Sequence, residues 1–390
     1  MKRCLSWEVT IIEEQFTLKT KVYLNRQSLQ YLKKIKGSRA FIVSDSIMES
    51  LGYLQQVVDY LNEAGISSTI FTGVRPDPDV ALITEGLKLY RESGADVLIA
   101  IGGGSAIDSA KGILYFAWKL GSAPGEEIQK PLFIAIPSTS GTGSEVTDFS
   151  VITSNGEKVV VIDEFIAPDV AILDSTCIQH VPQRVIADTG IDVLVHAIEA
   201  YVSTNANDFS DALAEKAIKL IFENLEILYK DPKNDEARDR VLNASCLAGM
   251  AFTNTGLGIN HSLAHAFGAT FHISHGRSNA LLLNAVMEYN ADLSGSSADS
   301  AAERYAKLAG VLQLPTRTKR EGTVNFMLAV KQLKKALGVE DHIRALGIDQ
   351  AQFANGLEHM AETAMLDRCT PTNPRQPSKD DLMQILKKCF

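Results

Sequence analysis

Apolar and polar positions fall into two regimes along the chain. Up to about Ile172, short runs rich in apolar and β-branched residues alternate with stretches whose apolar residues recur at helical spacing. The runs KVYL, AFIVS, STIFT, DVLIAI, LFIAIP and VVVID predict strands. Between them, IMESLGYLQQVVDYLNEAG and the stretch from Asp79 to Ser93 predict helices. DVLIAI and LFIAIP are nearly all apolar, as strands covered on both faces must be. Such alternation reads as βαβ units around a parallel sheet. From about Pro182 the strand signal fades and long helical patterns take over. They are DFSDALAEKAIKLIFENLEILY, ARDRVLNASCLAGMAF, SADSAAERYAKLAGVLQL and TVNFMLAVKQLKKALG. SKDDLMQILKKC opens on a capping pattern, Ser378 with Asp381, and predicts a last helix. The expected organisation is an α/β domain over residues 1–182 and an all-α domain over 183–390, with a ligand cleft between them.

Composition narrows the class. The 390 residues are enough for two domains, and 45% hydrophobic with 22% charged residues fits a globular chain rather than a disordered one. A net charge of −9 argues against a nucleic-acid or anionic-membrane partner. Five scattered cysteines without a CxxC pattern look like reduced thiols. No apolar stretch reaches a membrane span, and the first residues carry no secretory signal pattern. A cytoplasmic location is the resulting expectation.

Five residues carry the most specific chemistry. Asp192 and His196 are four apart, as are His261 and His265, so each pair shares one face of a helix. His275 follows in ISHGR, where a loop could return it to the same point. One carboxylate with two or three imidazoles suits a divalent transition metal.

Two turns point to a phosphate-bearing cofactor. IGGGSAIDSAKG follows a buried-strand pattern and opens a helix, so Gly102, Gly103 and Gly104 allow close backbone approach beside helix-start amides. Ser105 adds a hydroxyl, and Asp108 and Lys111 lie within the next two turns. The standard dinucleotide fingerprint fails at Ile107. PSTSGTGSEVT, from Pro137 to Thr147, also ends an apolar strand and is rich in hydroxyls and glycine. Asp45, at the end of FIVSD, could bond an adenosine ribose and repel a 2′-phosphate, or simply cap a helix.

Together, GGGS, PSTSGTGSE, D-x-x-x-H and a histidine cluster ending in SHG resemble the iron-containing (group III) alcohol dehydrogenases. AILDSTCIQHVPQRVIADTGIDVLVHAIEA and NHSLAHAFGATFHISHGRSNALLL are similar to that family's two signatures, and the likeness runs from about Phe16 to the C-terminus. DFSDALAEKAIKLIF, the histidine cluster and TNPRQPS most resemble the alcohol dehydrogenases of bacterial propanediol- and ethanolamine-utilisation microcompartments, the 1-propanol dehydrogenases in particular.

The resemblance implies a dehydroquinate-synthase-like architecture. It also implies metal ligation by Asp192, His196, His261 and His275, with His265 as a proton relay and His272 without a fixed role. Asp45, Gly102–Ser105, Thr139, Thr142, Ser144 and Lys158 would hold NAD(H), and Asp108, by its place just after the glycine turn, is a further coenzyme candidate. The implied metal is Fe²⁺, with Zn²⁺ or another divalent ion open. The implied activity interconverts a short primary alcohol and its aldehyde, propionaldehyde/1-propanol or acetaldehyde/ethanol. The implied assembly is a homodimer or larger, with a microcompartment shell protein as a further partner. The first fifteen or so residues lie outside the likeness and read as a tail or an encapsulation address. Ser262, where many relatives have glycine, is expected to leave ligation unaffected. A glycerol or diol dehydrogenase of the same plan and a non-catalytic assembly protein are the other readings.

Overall fold

The computed structural model describes residues 15–121, 129–154, 157–295 and 300–390. The tail or address expected of the first residues falls outside them up to residue 14.

The first half builds a six-stranded sheet. β1 (Lys21–Leu24), β2 (Arg39–Val43), β3 (Ser67–Phe71), β4 (Val97–Gly102) and β5 (Leu132–Pro137) match the predicted runs. Their crossovers carry α1 (Ser46–Ser50), α2 (Tyr53–Glu63), α3 (Val80–Ser93) and α4 (Gly104–Gly121). The stretch IMESLGYLQQVVDYLNEAG is thus two helices, broken where Gly52 turns left-handed at φ 79°. Asp79 caps α3 by accepting from the Leu82 amide at 2.8 Å.

VVVID does not join this sheet. It lies in β7 (Glu157–Ile162), paired antiparallel with β6 (Phe149–Ser154) in a separate hairpin. The sixth sheet strand is β8 (Val170–Leu173), which the strand reading overlooked. Its four residues sit directly after Pro168 and Asp169, too short to show a period. The order is β1-β8-β5-β4-β2-β3, with every pairing parallel.

Side chains of the central strands alternate between two cores. Ile42, Ile99, Ile101, Ile134 and Ile136 pack with Val57 and Leu61 of α2. Phe41, Val43, Leu98, Ala100, Phe133 and Ala135 pack with Ile83 of α3 and Ile107 and Ile113 of α4. That double coverage is why β4 and β5 read as unbroken apolar runs. The winding reverses between β2 and β4, and both strands end on the same edge, where parallel sheets take ligands.

The second half is helical. α5 (Gln183–Val202), α6 (Asp208–Lys230), α7 (Asp235–Thr255), α8 (Ile259–Phe271), α9 (His275–Ala291), α10 (Ala302–Val311), α11 (Lys319–Ala336), α12 (Gln350–Leu366) and α13 (Lys379–Cys389) follow. No strand follows Leu173 among the described residues. Asn207 and Ser210 form a capping box on α6, and Ser378 with Asp381 caps α13 as its sequence predicts. α12 was not among the predicted helices. α5 is the axis of this half, buried almost throughout from Ile186 to Val202 and packed on α6, α7 and α9. Burial on every side explains why its polar residues must find partners inside the protein.

Candidate active site

Asp45, the glycine turn and the Ser/Thr turn leave the carboxyl ends of the neighbouring strands β2, β4 and β5. Gly102 holds φ 153°, and a Cβ there would come within 2.6 Å of the Ala106 Cβ. A Cβ on Gly104 would lie 2.8 Å from Thr142 Cγ2, and one on Gly103 3.4 Å from Thr139 Cγ2. The two turns therefore face each other across a gap that side chains would fill. The first amides of α4 are the donors a helix start leaves without internal partners, and they suit a phosphate. This cradle fits a dinucleotide.

Thr139, Thr142 and Ser105 keep part of their surface open there. Ser144 turns inward. It is buried, and its hydroxyl donates to Asp108 Oδ1 at 2.7 Å. Asp108 Oδ2 accepts from the Val151 amide at 3.2 Å, so this carboxylate is engaged within the protein. Burial pushes its pKa up, with Lys111 opposing. Lys111, fully buried, donates to Ser144 O at 2.7 Å, Thr147 Oγ1 at 2.8 Å and Phe149 O at 2.9 Å, and burial lowers its pKa to about 8. Asp108, Lys111 and Ser144 together fasten the second turn onto α4.

Asp45 uses Oδ1 to cap α1, accepting from the Ile47 and Met48 amides at 2.9 and 3.0 Å. Its Oδ2 faces the glycine turn, 3.2 Å from where a Gly102 Cβ would be. Lys158 stands exposed on β7, paired with Asp77 at 3.0 Å.

The helical half brings Asp192, His196, His261 and His275 together, one potential donor atom from each lying within 4.8 Å of all the others. Asp192 and His196 come from α5 and His261 from α8. His275 is not in a loop; it is the first residue of α9, after His272 closes α8 in a left-handed conformation at φ 55°. His265 lies outside this foursome and instead groups with Asp367 and Cys369. His272 is exposed.

Burial sets the charge state. It lowers His196 to about 3 and His261 well below its ordinary value, and His275, with 35% of its side chain exposed, is lowered too, so the imidazoles are held neutral; His275 Nε2 lies 3.1 Å from Asn279 Nδ2. It raises Asp192. His261 Nε2 is buried with no hydrogen-bond partner among the described residues. Asp192 Oδ1 lies 3.9 Å from it and 3.5 Å from His275 Nε2. Those separations are loose for hydrogen bonds but match two donors sharing a cation about 2.1 Å from each. An orphaned buried nitrogen beside a buried carboxylate is costly unless something positive sits between them. The donor set fits a divalent metal.

Three supporting residues escaped the sequence reading. Glu199, buried on α5, is bonded to His261 Nδ1 and accepts from the Asn260 amide at 2.7 Å; burial raises its pKa to about 8. Its place seven residues after Asp192 and three after His196 puts it on their face, a signal that was available. Asn279, one turn after His275, donates to Asp192 Oδ1 at 2.7 Å. Asp367 Oδ2 accepts from His265 Nδ1 at 2.8 Å. Burial alone would raise Asp367, but the His265 bond and charge and the Cys369 amide hold it well below the usual carboxylate range. No local spacing links residues 265 and 367.

A parallel-sheet half with a glycine cradle, closed against a helical half with a carboxylate–histidine cage, defines a class of metal-dependent dehydrogenases. Residues 20–175 match the family model of the iron-containing alcohol dehydrogenases, and residues 186–390 match that of the family's C-terminal part. The chain belongs to the iron-containing alcohol dehydrogenase family. It is 40% identical to an NADPH-dependent butanol dehydrogenase of Clostridium saccharobutylicum over 96% of this chain and 97% of that one. It is 36% identical to the 1-propanol dehydrogenase PduQ of Citrobacter freundii over 96% and 99%. An iron-containing alcohol dehydrogenase from Thermococcus thioreducens superposes with a TM-score of 0.88 at 36% identity, covering 96% of this chain and 99% of that one. Against the aldehyde-alcohol dehydrogenases it matches at 40% identity, the chain spans 45% of their length. Among the described residues, no helix is long and apolar enough to cross a membrane.

Proposed function

We propose that this protein interconverts a short-chain primary alcohol and its aldehyde with NAD(H), using a divalent metal held by Asp192, His196, His261 and His275. The observation that carries the reading is the meeting of those four donors, with His261 Nε2 buried and without a hydrogen-bond partner among the described residues. When bound, the metal supplies the Lewis acidity that makes an alcohol hydroxyl acidic and an aldehyde carbonyl electrophilic, and the nicotinamide exchanges the hydride.

The chain's own groups supply placement and proton handling. Asn279 fixes the Asp192 carboxylate, and Glu199 fixes the His261 ring through Nδ1, so the cage is set before anything enters it. The two glycine-lined turns orient the coenzyme, which contributes to rate by pre-arranging donor and acceptor. His265, with 32% of its side chain exposed, is the residue that takes the hydroxyl proton and passes it outward. Family membership favours iron. The donors would equally accept Zn²⁺, Co²⁺ or Ni²⁺, so elemental analysis after anaerobic purification decides.

The 40% and 36% identities to butanol and 1-propanol dehydrogenases support small neutral substrates. The Asp45 carboxylate beside the glycine turn supports NAD(H) over NADP(H), in contrast to the NADPH-dependent relative. The test is an NADH-consumption screen over C2–C4 aldehydes and diols, with and without added Fe²⁺. Metal-dependent NADH oxidation with a C2–C4 aldehyde is expected. Its absence with every compound after reconstitution would overturn the reading, and a preference for diols would move the substrate class.

A further inference from the structure

Asp367 reaches the histidine cluster from outside the helices that carry the histidines. It is the C-cap of α12, and its side chain, 16% exposed, is held from both ends. Oδ1 accepts from the Cys369 amide at 2.8 Å and from Ser262 Oγ at 3.2 Å, while Oδ2 accepts from His265 Nδ1 at 2.8 Å. Thr370 Oγ1 lies 2.8 Å from the Ser262 hydroxyl and extends the same network. Such a carboxylate cannot swing away without breaking several bonds. The His265 ring is stacked on His275 with centroids 5.4 Å apart and lies 6.0 Å from His261.

We propose that Asp367 is the positioning residue for His265, fixing its ring and its tautomer so that Nε2 carries the lone pair facing the cleft. The inference rests on the reading of His265 as the proton carrier. A neutral imidazole has one bare nitrogen, and the partner of the other nitrogen decides which one that is. With Nδ1–H committed to Asp367, the proton released by an alcohol hydroxyl is taken at Nε2 and passed to solvent. In aldehyde reduction it returns by the same nitrogen. The opposite tautomer would present an N–H to a group that must lose a proton. The same carboxylate also steadies the imidazolium while the proton is held. Cys369 does not compete for this role, because burial first and Asp367 second keep its thiol protonated.

The test pairs Asp367→Asn with His265→Gln and the double variant, all in the metal-loaded enzyme. Asp367→Asn is expected to lower kcat roughly 10- to 100-fold, leaving KM for the alcohol and metal content within about twofold. In the His265→Gln background it is expected to cost nothing further, because both changes remove one function. Asp367→Glu, which keeps a carboxylate, is expected to recover part of the loss. Independently of turnover, ¹⁵N-histidine spectra of the zinc-substituted enzyme should show an Nδ1–H signal that both single variants lose. The inference fails if Asp367→Asn leaves kcat and that signal unchanged, if its effect adds fully to that of His265→Gln, or if activity falls only in step with lost metal or lost fold. Should Asp367→Asn not fold, the Nδ1–H signal in the native protein and in Asp367→Glu decides, and its absence from both is contrary. His265→Gln with native turnover would instead remove the proton-carrier reading itself.

Discussion

The sheet half and the helical half offer candidate ligand sites of opposite kinds. On the sheet side the candidate site is mostly backbone: Gly102, Gly103 and Gly104 leave space that a side chain would fill, and helix-start amides would supply the donors. On the helical side the site is all side chain: one carboxylate and three imidazoles, each on a packed helix and each supported by a further residue or by burial. A backbone site tolerates change in what surrounds it and not in its own Cβ count. A side-chain cage fails with the loss of a single donor. Substitutions on the two sides should therefore separate coenzyme binding from metal retention.

The largest separation is expected from His261→Ala. It removes a donor and leaves Glu199 Oε2 without its imidazole partner, so metal retention and turnover should both be lost, turnover by about a thousandfold or more. NADH affinity, measured by fluorescence titration, should stay within a few-fold. If the variant kept near-native activity, the ligand assignment would be wrong. On the other side, Gly104→Ala drives a methyl to within 2.8 Å of Thr142. NADH Kd should rise roughly 10- to 100-fold, about 1.4–2.7 kcal/mol, with metal content by elemental analysis unaltered. A loss of metal in this variant would mean the two sites are not independent.

Glu199→Gln probes support rather than ligation. It keeps the shape but replaces the carboxyl bonded to His261 Nδ1 with an amide, and a 10- to 100-fold weaker metal affinity is expected by competition with a chelator. Unchanged affinity would reduce Glu199 to a packing residue.

Acid should act on the cage through two opposing sets of groups, its imidazoles and its raised carboxyls Asp192 and Glu199. His196 and His275 have folded pKa values near 3, below the roughly 6.5 of an unfolded imidazole. The unfolded chain then binds more protons between those values, so stability present above pH 6.5 is lost as pH falls towards 3. Asp192 and Glu199, raised by burial, oppose this until about pH 4, so melting curves of the metal-free protein should drop most steeply below that pH, and added divalent metal should stabilise the protein near neutrality. A profile that stays flat below about pH 4, where the carboxyls no longer oppose, would show that the imidazoles are not held neutral in the fold.

The smallest effect is expected at Asp45→Ser, which keeps a cap for α1 and removes the second carboxylate oxygen. The NADH-to-NADPH ratio of kcat/KM should fall several-fold with little change in Tm. An unaltered ratio would leave Asp45 as a cap only.

How legible each side was follows from the same contrast. Side-chain sites built on helices leave a period in sequence, so Asp192–His196 and His261–His265 stood out, and Glu199 was within reach of the same argument. Asp367 could not be seen, because its tie to His265 is made only by folding. The sheet was legible where strands are covered on both faces, as in β4 and β5. It was misread where apolar content is not matched by burial: the exposed Val159 and Ile162 in VVVID belong to the hairpin. The sequence Asn155-Gly156 between β6 and β7 is a strong hairpin signal that should have marked it. Ser144 shows the limit of composition. A turn full of hydroxyls suggests ligand contacts, yet one of its hydroxyls is spent on Asp108.

The most direct test is anomalous diffraction at the iron edge from crystals grown anaerobically with Fe²⁺ and NAD⁺. One peak is predicted, within roughly 2.0–2.3 Å of donors from Asp192, His196, His261 and His275 together. No peak there, or a peak held by His265 and Asp367 instead, would contradict the account.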